Sequence, residues 1–213
     1  MFTFLPLRNY TDQLDDAAKK FISEMYVDYK MSEDIEIDTR AQASNDNWHN
    51  LRAKRFTASK FFEFKSIKKP KGFSSFAERL VRPKEPNKFL EKVFEYGRVN
   101  ESVALKKYEQ YFKSKNHHLH VQSSGLVIQP NSYILGASPD GKVIDVAEKS
   151  IFGLVEIKCP YQYADFNIAD IALVQSKFCL KVDDIEEKIK INKEHAYYDQ
   201  VQMQNGINRH KMV

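Results

Sequence analysis

GASPDGKVIDVAEKSIFGLVEIKCP, residues 136–160, decides how the chain is read. Phe152 to Ile157 is an apolar run with the character of a buried strand. Residues two apart along a strand share a face, so Glu156 and Lys158 emerge together while Val155 and Ile157 face the other way. Pro139-Asp140-Gly141 is a turn signal that presents a third charged group, a carboxylate, at the preceding strand junction. Two carboxylates beside an ammonium form a minimal apparatus for holding a divalent cation and activating a water. An ExK triplet by itself more often marks an exposed strand edge with an incidental ion pair. Here Cys159-Pro160 ends the strand, and the pattern is joint: PD, an intervening hairpin, then ExK.

Outward from this stretch, composition sets the class. At 213 residues and 42% hydrophobic, the chain is long enough to bury a core as one domain, or one domain with an extension. No run approaches the length of a membrane span, and MFTFLPLRNY lacks the organisation of a secretory signal, so a soluble, intracellular protein with no membrane partner is expected. Cys159 and Cys179 form neither a knuckle nor a disulfide pattern, in keeping with a reduced compartment.

The net charge is +4, but residues 1–47, 48–118 and 119–213 carry −5, +11 and −2. Between Arg52 and Lys71, eight basic residues stand against the single acid Glu63, which points to a polyanionic partner; the alternative is a solvated basic face.

In chain order, Leu14, Ala18, Phe21, Ile22, Met25, Tyr26 and Tyr29 give residues 11–30 a helical stripe. Ser32 to Asp46 reads as an acidic linker or loosely packed arm, so residues 1–46 form an N-terminal helix and arm. In WHNLRAKRFTASKFFEF, Trp48 and Leu51 make a short helical face from which Arg52 and Arg55 project. Thr57-Ala58-Ser59 offers a hydroxyl-capped helix start, and a helix N-terminus with an arginine nearby suits a phosphate. SIKKPKG, residues 66–72, reads as a basic loop, with a capping box at Ser75–Glu78 opening a helix that Pro83 and Pro86 end. The longest helical pattern covers residues 87–113, where Gly97 and Glu101 share a side; Glu101 is either a third metal-site acid or a surface charge.

His117, His118 and His120 lack further ligands at a suitable spacing, so zinc is not assigned. Strands are expected over Leu119–Gln129, Tyr133–Ala137 and Lys142–Val146. Gln175–Leu180 reads as a short helix or strand. Residues 193–208 read as a helix with an apolar face including Tyr197 and Tyr198, and Gln200, Gln202 and Gln204 offer amides to a phosphate or a water.

Taken in order, W-x-x-L-R, T-A-S, G-x-x-x-E, S-P-D-G, E-I-K-C-P and Y-x-Q-V-Q resemble the YqaJ-type viral recombinase family, which includes bacteriophage lambda exonuclease, within the PD-(D/E)xK nuclease superfamily. The resemblance runs from Trp48 to Gln204. It implies an α/β (α+β) fold with a restriction-endonuclease-like core, a mixed central β-sheet flanked by helices, over residues 47–213. Asp140 and Glu156 would hold Mg²⁺, with Mn²⁺ as a substitute, together with the Ile157 backbone carbonyl, and Lys158 would orient or deprotonate the attacking water. Glu101 falls on the family's helical acid, and Gln200 or Gln202 on its glutamine. Arg52 and Ser59, with Arg55 and Thr57 beside them, would bind the terminal 5′-phosphate. The implied activity is degradation of one strand of duplex DNA from its end, typically 5′ to 3′, leaving a single strand for an annealing recombination protein; a homo-oligomeric ring is an implied assembly. A further strand should follow the glutamine helix, and the chain ends at Val213 where it should start, so a truncated domain is expected. The same residues fit two rivals, a catalytically impaired DNA-binding module and an endonuclease of the superfamily.

Overall fold

The computed structural model describes residues 14–82, 87–115, 118–147, 150–183 and 188–208. Residues 209–213, where the further strand was expected to start, lie outside these, as do Pro83, Pro86 and His117. Eight helices surround three small sheets among the described residues: α1 (Asp16–Glu24), α2 (Tyr29–Asp38), α3 (Asp46–Ala53), β1 (Phe56–Thr57), α4 (Phe61–Lys65), α5 (Pro70–Val81), α6 (Lys88–Ser114), β2 (Leu119–Ser123), β3 (Val127–Ile128), β4 (Leu135–Ala137), β5 (Gly141–Asp145), β6 (Ser150–Val155), α7 (Ile168–Val174), β7 (Leu180–Asp183), β8 (Lys188–Ile191) and α8 (Ala196–Asn208). None of the helices is long and apolar enough to cross a membrane.

The fold is the expected α/β class, but its central sheet is split. One sheet has the order β1-β4-β3, the other β2-β5-β6, while β7 and β8 pair only with each other. Ser123 pairs with Gly141 and Val127 with Ala137, four residues on along one segment and four back along the other. The two sheets therefore continue one antiparallel register, opened at residues 124–126 and 138–140. Pro139 has no N–H to give to a ladder, a local reason for the opening.

The helix expected over residues 11–30 is two helices, its first three residues lying outside the described ones. Asp15 caps α1 by accepting from Ala18 N–H, and Asp28 caps α2 by accepting from Met31 N–H, both at 2.7 Å. Between them Met25 and Val27 turn into the core. The first half of the stretch read as a linker belongs to α2, and it is packed: Ser32 Oγ donates to Ile128 O at 2.7 Å, while Glu36 is 2% exposed and pairs with Lys142 Nζ at 2.8 Å. Burial alone would raise the Glu36 carboxyl, but Arg40, Lys142 and the Gly125 N–H outweigh it and pull it down to about 2.

Two further boundaries move. α5 starts at Pro70, a residue suited to the first helical position, rather than at a Ser75 capping box. α7 precedes a turn over most of Gln175–Leu180, and β7 then begins at Leu180. Of the apolar positions on α6, Leu105 and Phe112 pack on the β2-β5-β6 sheet, whereas Phe89 and Phe94 stay exposed.

Replacing Glu36 with alanine strands a buried lysine, and it is expected to cost about 3–5 kcal/mol in urea unfolding at pH 7. Because the folded carboxyl lies below its ordinary value, this stabilisation is complete above about pH 4.5 and fades as pH falls toward 2. In Glu36→Ala the acid limb of the stability curve should flatten accordingly.

Candidate active site

The opened part of the register displays the acids. Gly141 is the last β5 residue to pair with β6, opposite Val155, so β6 stops two residues short of the expected Ile157. Beyond it a side chain replaces the ladder: Ile157 N–H donates to Asp140 Oδ2 at 2.5 Å. Glu156 and Lys158 still share a face, because the Lys158 ammonium donates to Glu156 Oε1, while Val155 and Ile157 turn to the core behind them.

Helix α8 closes the site from the other side. Gln200 Nε2 donates to Glu156 Oε1 at 2.5 Å and Gln204 Nε2 to Oε2 at 2.8 Å. Residues four apart lie one above the other on a helix, so the pair clasps one carboxylate. Gln202 is about 200° round the helix from Gln200 and is not brought to Glu156. Gln204, which carried only a general amide role in the sequence, stands in the site instead. Tyr197, assigned there to an apolar face, sets its ring 5.1 Å from Lys158 Nζ.

The charges interact strongly. Burial and the neighbouring Glu156 charge push the Asp140 carboxyl up to about 7, against the Ile157 N–H and Lys158. Burial also raises Glu101, with Lys158 opposing and Glu156 adding to the shift. Glu101 extends back over Gly97, where a Cβ would lie 3.5 Å from its Oε1, so the two do share a side of α6. Burial disfavours the Lys158 ammonium, yet the attraction and hydrogen bond of Glu156 prevail and raise its pKa.

At the edge of this cluster sits Arg52. Its guanidinium lies 4.1 Å from the Trp48 ring centroid, and its Nη1 donates to Ser138 Oγ at 3.1 Å. Trp48 Nε1 donates to the same oxygen at 3.0 Å. Ser138, quoted within S-P-D-G but given no role, is therefore the hydroxyl at Arg52. Burial lowers the Arg52 pKa to about 10, against the attraction of Glu156, which links this end of the site to the acids.

Arg55 does not join Arg52. It is 6% exposed and donates to the backbone carbonyls of Tyr133, Leu51 and Met25 at 2.9, 3.0 and 2.9 Å, the work of an internal staple and not of a phosphate ligand. Thr57 is buried and provides no side-chain cap to the short 3-10 helix that follows; its hydroxyl lies 3.2 Å from the Oγ of the exposed Ser59.

Two clefts border the cluster. One of about 270 Å³ is lined by Asp140, Glu101, Arg98, Arg40, Gln42 and Ser44, among others. The second, also about 270 Å³, runs beside Glu156 and Lys158 between Tyr197, Phe178, Leu180 and Ile191 and is largely apolar.

The donor set fits a hard divalent cation. Asp140, Glu156 and the Ile157 carbonyl supply oxygen only, and the raised Asp140 carboxyl marks negative charge that a cation would relieve. Glu156 Oε2 accepts a single described hydrogen bond and keeps a lone pair. Among the described residues no group of three or more His, Cys, Asp or Glu side chains is placed to hold a metal ion. Mg²⁺ does not need one, since it keeps several waters and takes one or two carboxylates with substrate phosphate.

A basic chain that gathers two carboxylates, a lysine and two glutamines at an opened sheet is built as a nuclease. It belongs to the viral alkaline exonuclease family, whose family model matches residues 16–171 and so includes α2, Asp140, Glu156 and Lys158. Among solved structures, the chain is similar to an alkaline exonuclease (LHK-Exo) from Laribacter hongkongensis, with 23% identity over 78% of this chain and 69% of that one, at a TM-score of 0.48. The complex of LHK-Exo with dAMP is similar at 21% identity over the same shares, with a TM-score of 0.47. No curated protein matches the chain.

Proposed function

We propose that this family member is a Mg²⁺-dependent deoxyribonuclease that degrades one strand of linear duplex DNA from its 5′ end. The observation that carries the reading is a continuous cluster: Asp140 on the Ile157 N–H, Glu156 between Lys158 and two glutamines, and Arg52 on Ser138, one residue from Pro139. Bound at Asp140, Glu156 and the Ile157 carbonyl, Mg²⁺ would supply Lewis-acid stabilisation of the scissile phosphate and a more acidic water. Lys158, held by Glu156, orients that water and faces the charge that develops on the phosphate. Gln200 and Gln204 fix Glu156 so that its oxygens do not turn away. Arg52 and Ser138 offer donors to a terminal phosphate, and the exposed basic segment from Lys60 to Lys71 attracts the duplex. The single strand left behind suits an annealing recombination protein.

The test is digestion of 5′-phosphorylated linear duplex, 5′-hydroxyl duplex and covalently closed circles, with and without Mg²⁺. Cleavage of the closed circles would replace the exonuclease reading with an endonuclease, and salt-sensitive binding without cleavage would leave a DNA-binding module. Arg52→Ala is expected to reduce the preference for 5′-phosphorylated over 5′-hydroxyl ends by about 10- to 100-fold, the size of lost hydrogen bonds to a charged group. Equal loss on both ends would remove Arg52 from phosphate recognition.

A further inference from the structure

The opening in the central register leaves backbone groups that neither sheet satisfies, and one short segment satisfies four of them. Buried backbone donors and acceptors need partners wherever a ladder is interrupted. Gly125 N–H donates to Glu36 Oε1 at 3.1 Å, and Leu126 N–H to Thr39 Oγ1 at 2.8 Å. The two carbonyls go to a single amide: Gln42 Nε2 donates to Ser124 O at 2.8 Å and to Pro139 O at 2.9 Å. Ser124 follows the last paired residue of β2, and Pro139 immediately precedes Asp140. Both N–H groups of one side chain thus span the gap at the point where the acid is displayed.

Gln42 reaches that position at a conformational cost. Its φ is 44°, and no other non-glycine among the described residues has a positive φ. Backbone held in the left-handed region by a residue other than Gly, Asn or Asp persists only where the surroundings over-determine it. The neighbouring contacts show the same close fit, since a Cβ on Gly125 would lie 2.0 Å from Glu36 O. On the far side of the turn, Lys142 is drawn to Glu36, so Asp140 is held from both sides by residues 36–42.

We infer that Gln42 is a positioning residue for Asp140: its side-chain amide, bonded to Ser124 O and Pro139 O, sets where the Asp140 carboxylate meets the Ile157 N–H and a divalent cation. The inference rests on the reading of Asp140 as a metal-site acid. The described hydrogen bonds of the Gln42 amide go to Ser124 O and Pro139 O and not to the acids, so it acts through the Pro139 carbonyl. Losing a residue that orients a metal ligand from behind typically costs about 10- to 100-fold in metal affinity.

Gln42→Gly separates the amide from the backbone, because glycine adopts the left-handed conformation freely and only the two hydrogen bonds disappear. Ser32→Ala is the comparison, removing one buried hydrogen bond from α2 to Ile128 O without touching the Asp140 turn. Two measurements are made on the whole chain: hydrogen exchange of the Ile157 amide by NMR without metal, and Mn²⁺ affinity by electron paramagnetic resonance. In Gln42→Gly the Ile157 amide should exchange about tenfold faster, the worth of a hydrogen bond to a charged acceptor, and the Mn²⁺ dissociation constant should rise about 10- to 100-fold. Ser32→Ala should change both by less than about twofold, since its lost bond is distant from the turn. Wild-type values in Gln42→Gly, or equal losses in Ser32→Ala, would overturn the inference. If the wild type binds no Mn²⁺, the metal-site reading of Asp140 fails, while the Ile157 amide still decides whether Gln42 positions it. Should Gln42→Gly not fold, Gln42→Asn tests the same point with an amide too short to bridge the two carbonyls.

Discussion

Asp140→Asn is expected to abolish DNA degradation, by at least about a thousandfold in kcat/KM, while raising the melting temperature of the metal-free protein. The activity loss follows from removing one of two carboxylates available to the cation, which carries several kcal/mol of charge stabilisation. The stability gain follows from the sign of the Asp140 shift. A carboxyl whose folded pKa is raised from 3.8 to about 7 penalises the folded state wherever it is ionised. The penalty is absent below about pH 4, grows as pH rises toward 7 and is complete above it, reaching on the order of 4 kcal/mol. Asparagine carries no such penalty, so the difference in melting temperature should be about 8–16 °C at pH 8 and vanish near pH 4. Mg²⁺ should raise the melting temperature of the wild type, by binding only the folded state, and leave that of Asp140→Asn unmoved. A variant that keeps a tenth of wild-type activity at saturating Mg²⁺ would remove Asp140 from the centre. A variant destabilised at pH 8 would mean that its charge is already compensated without metal.

This opposition of stability and function explains which parts of the site the sequence discloses. Asp140, Glu156 and Lys158 lie in one local turn and strand end, where period-two alternation and a proline turn set their faces, and those signals survive without tertiary information. The partners of Glu156 come from α8, more than forty residues away. Gln200 could be found by resemblance, but choosing Gln204 over Gln202 needs the helix rotation relative to the site. A four-residue spacing was the available signal. Arg55 misled for a related reason: three backbone carbonyls from distant segments satisfy it, and nothing in WHNLRAKRF distinguishes an inward arginine from an outward one.

Helix α2 was illegible because its pattern is inverted. Tyr29, Met31 and Ile37 are exposed, whereas Ser32 and Glu36 are buried. A search for apolar periodicity reads that arrangement as a solvated arm. What α2 buries is polar because what it covers is polar, the unpaired backbone and Lys142 at the opening in the sheet. The opening was equally hidden, since its register is continuous on both sides and only Pro139 hints at an interruption. The split and the polar helix that covers it are one feature, and together they free Asp140 from the sheet.

Lys158→Ala should lose about 10³-fold in kcat and yet retain Mn²⁺ binding within a few-fold, separating the lysine's task from that of the carboxylates. Lys158 is 28% exposed by side chain, and its ammonium is shared between Glu156 and the face of Tyr197. Its pKa is raised despite burial, so at neutral pH the metal-free site holds a protonated lysine that donates rather than accepts. A cation bound at Glu156 would compete with Lys158 for that carboxylate and weaken the attraction that raises the pKa. Lys158, still beside Glu156, would then direct more of its charge to the water and the phosphate, while Gln200 and Gln204 hold Glu156 in place. Two measurements distinguish this from a lysine that merely props Glu156. With a prop, Lys158→Ala would lose Mn²⁺ affinity as well as rate, and Lys158→Met, which fills similar space without charge, would restore both. With a charge-bearing role, Lys158→Met should remain as slow as Lys158→Ala. The glutamine clasp makes the experiment interpretable, because two donors remain on Glu156 after the ammonium is gone.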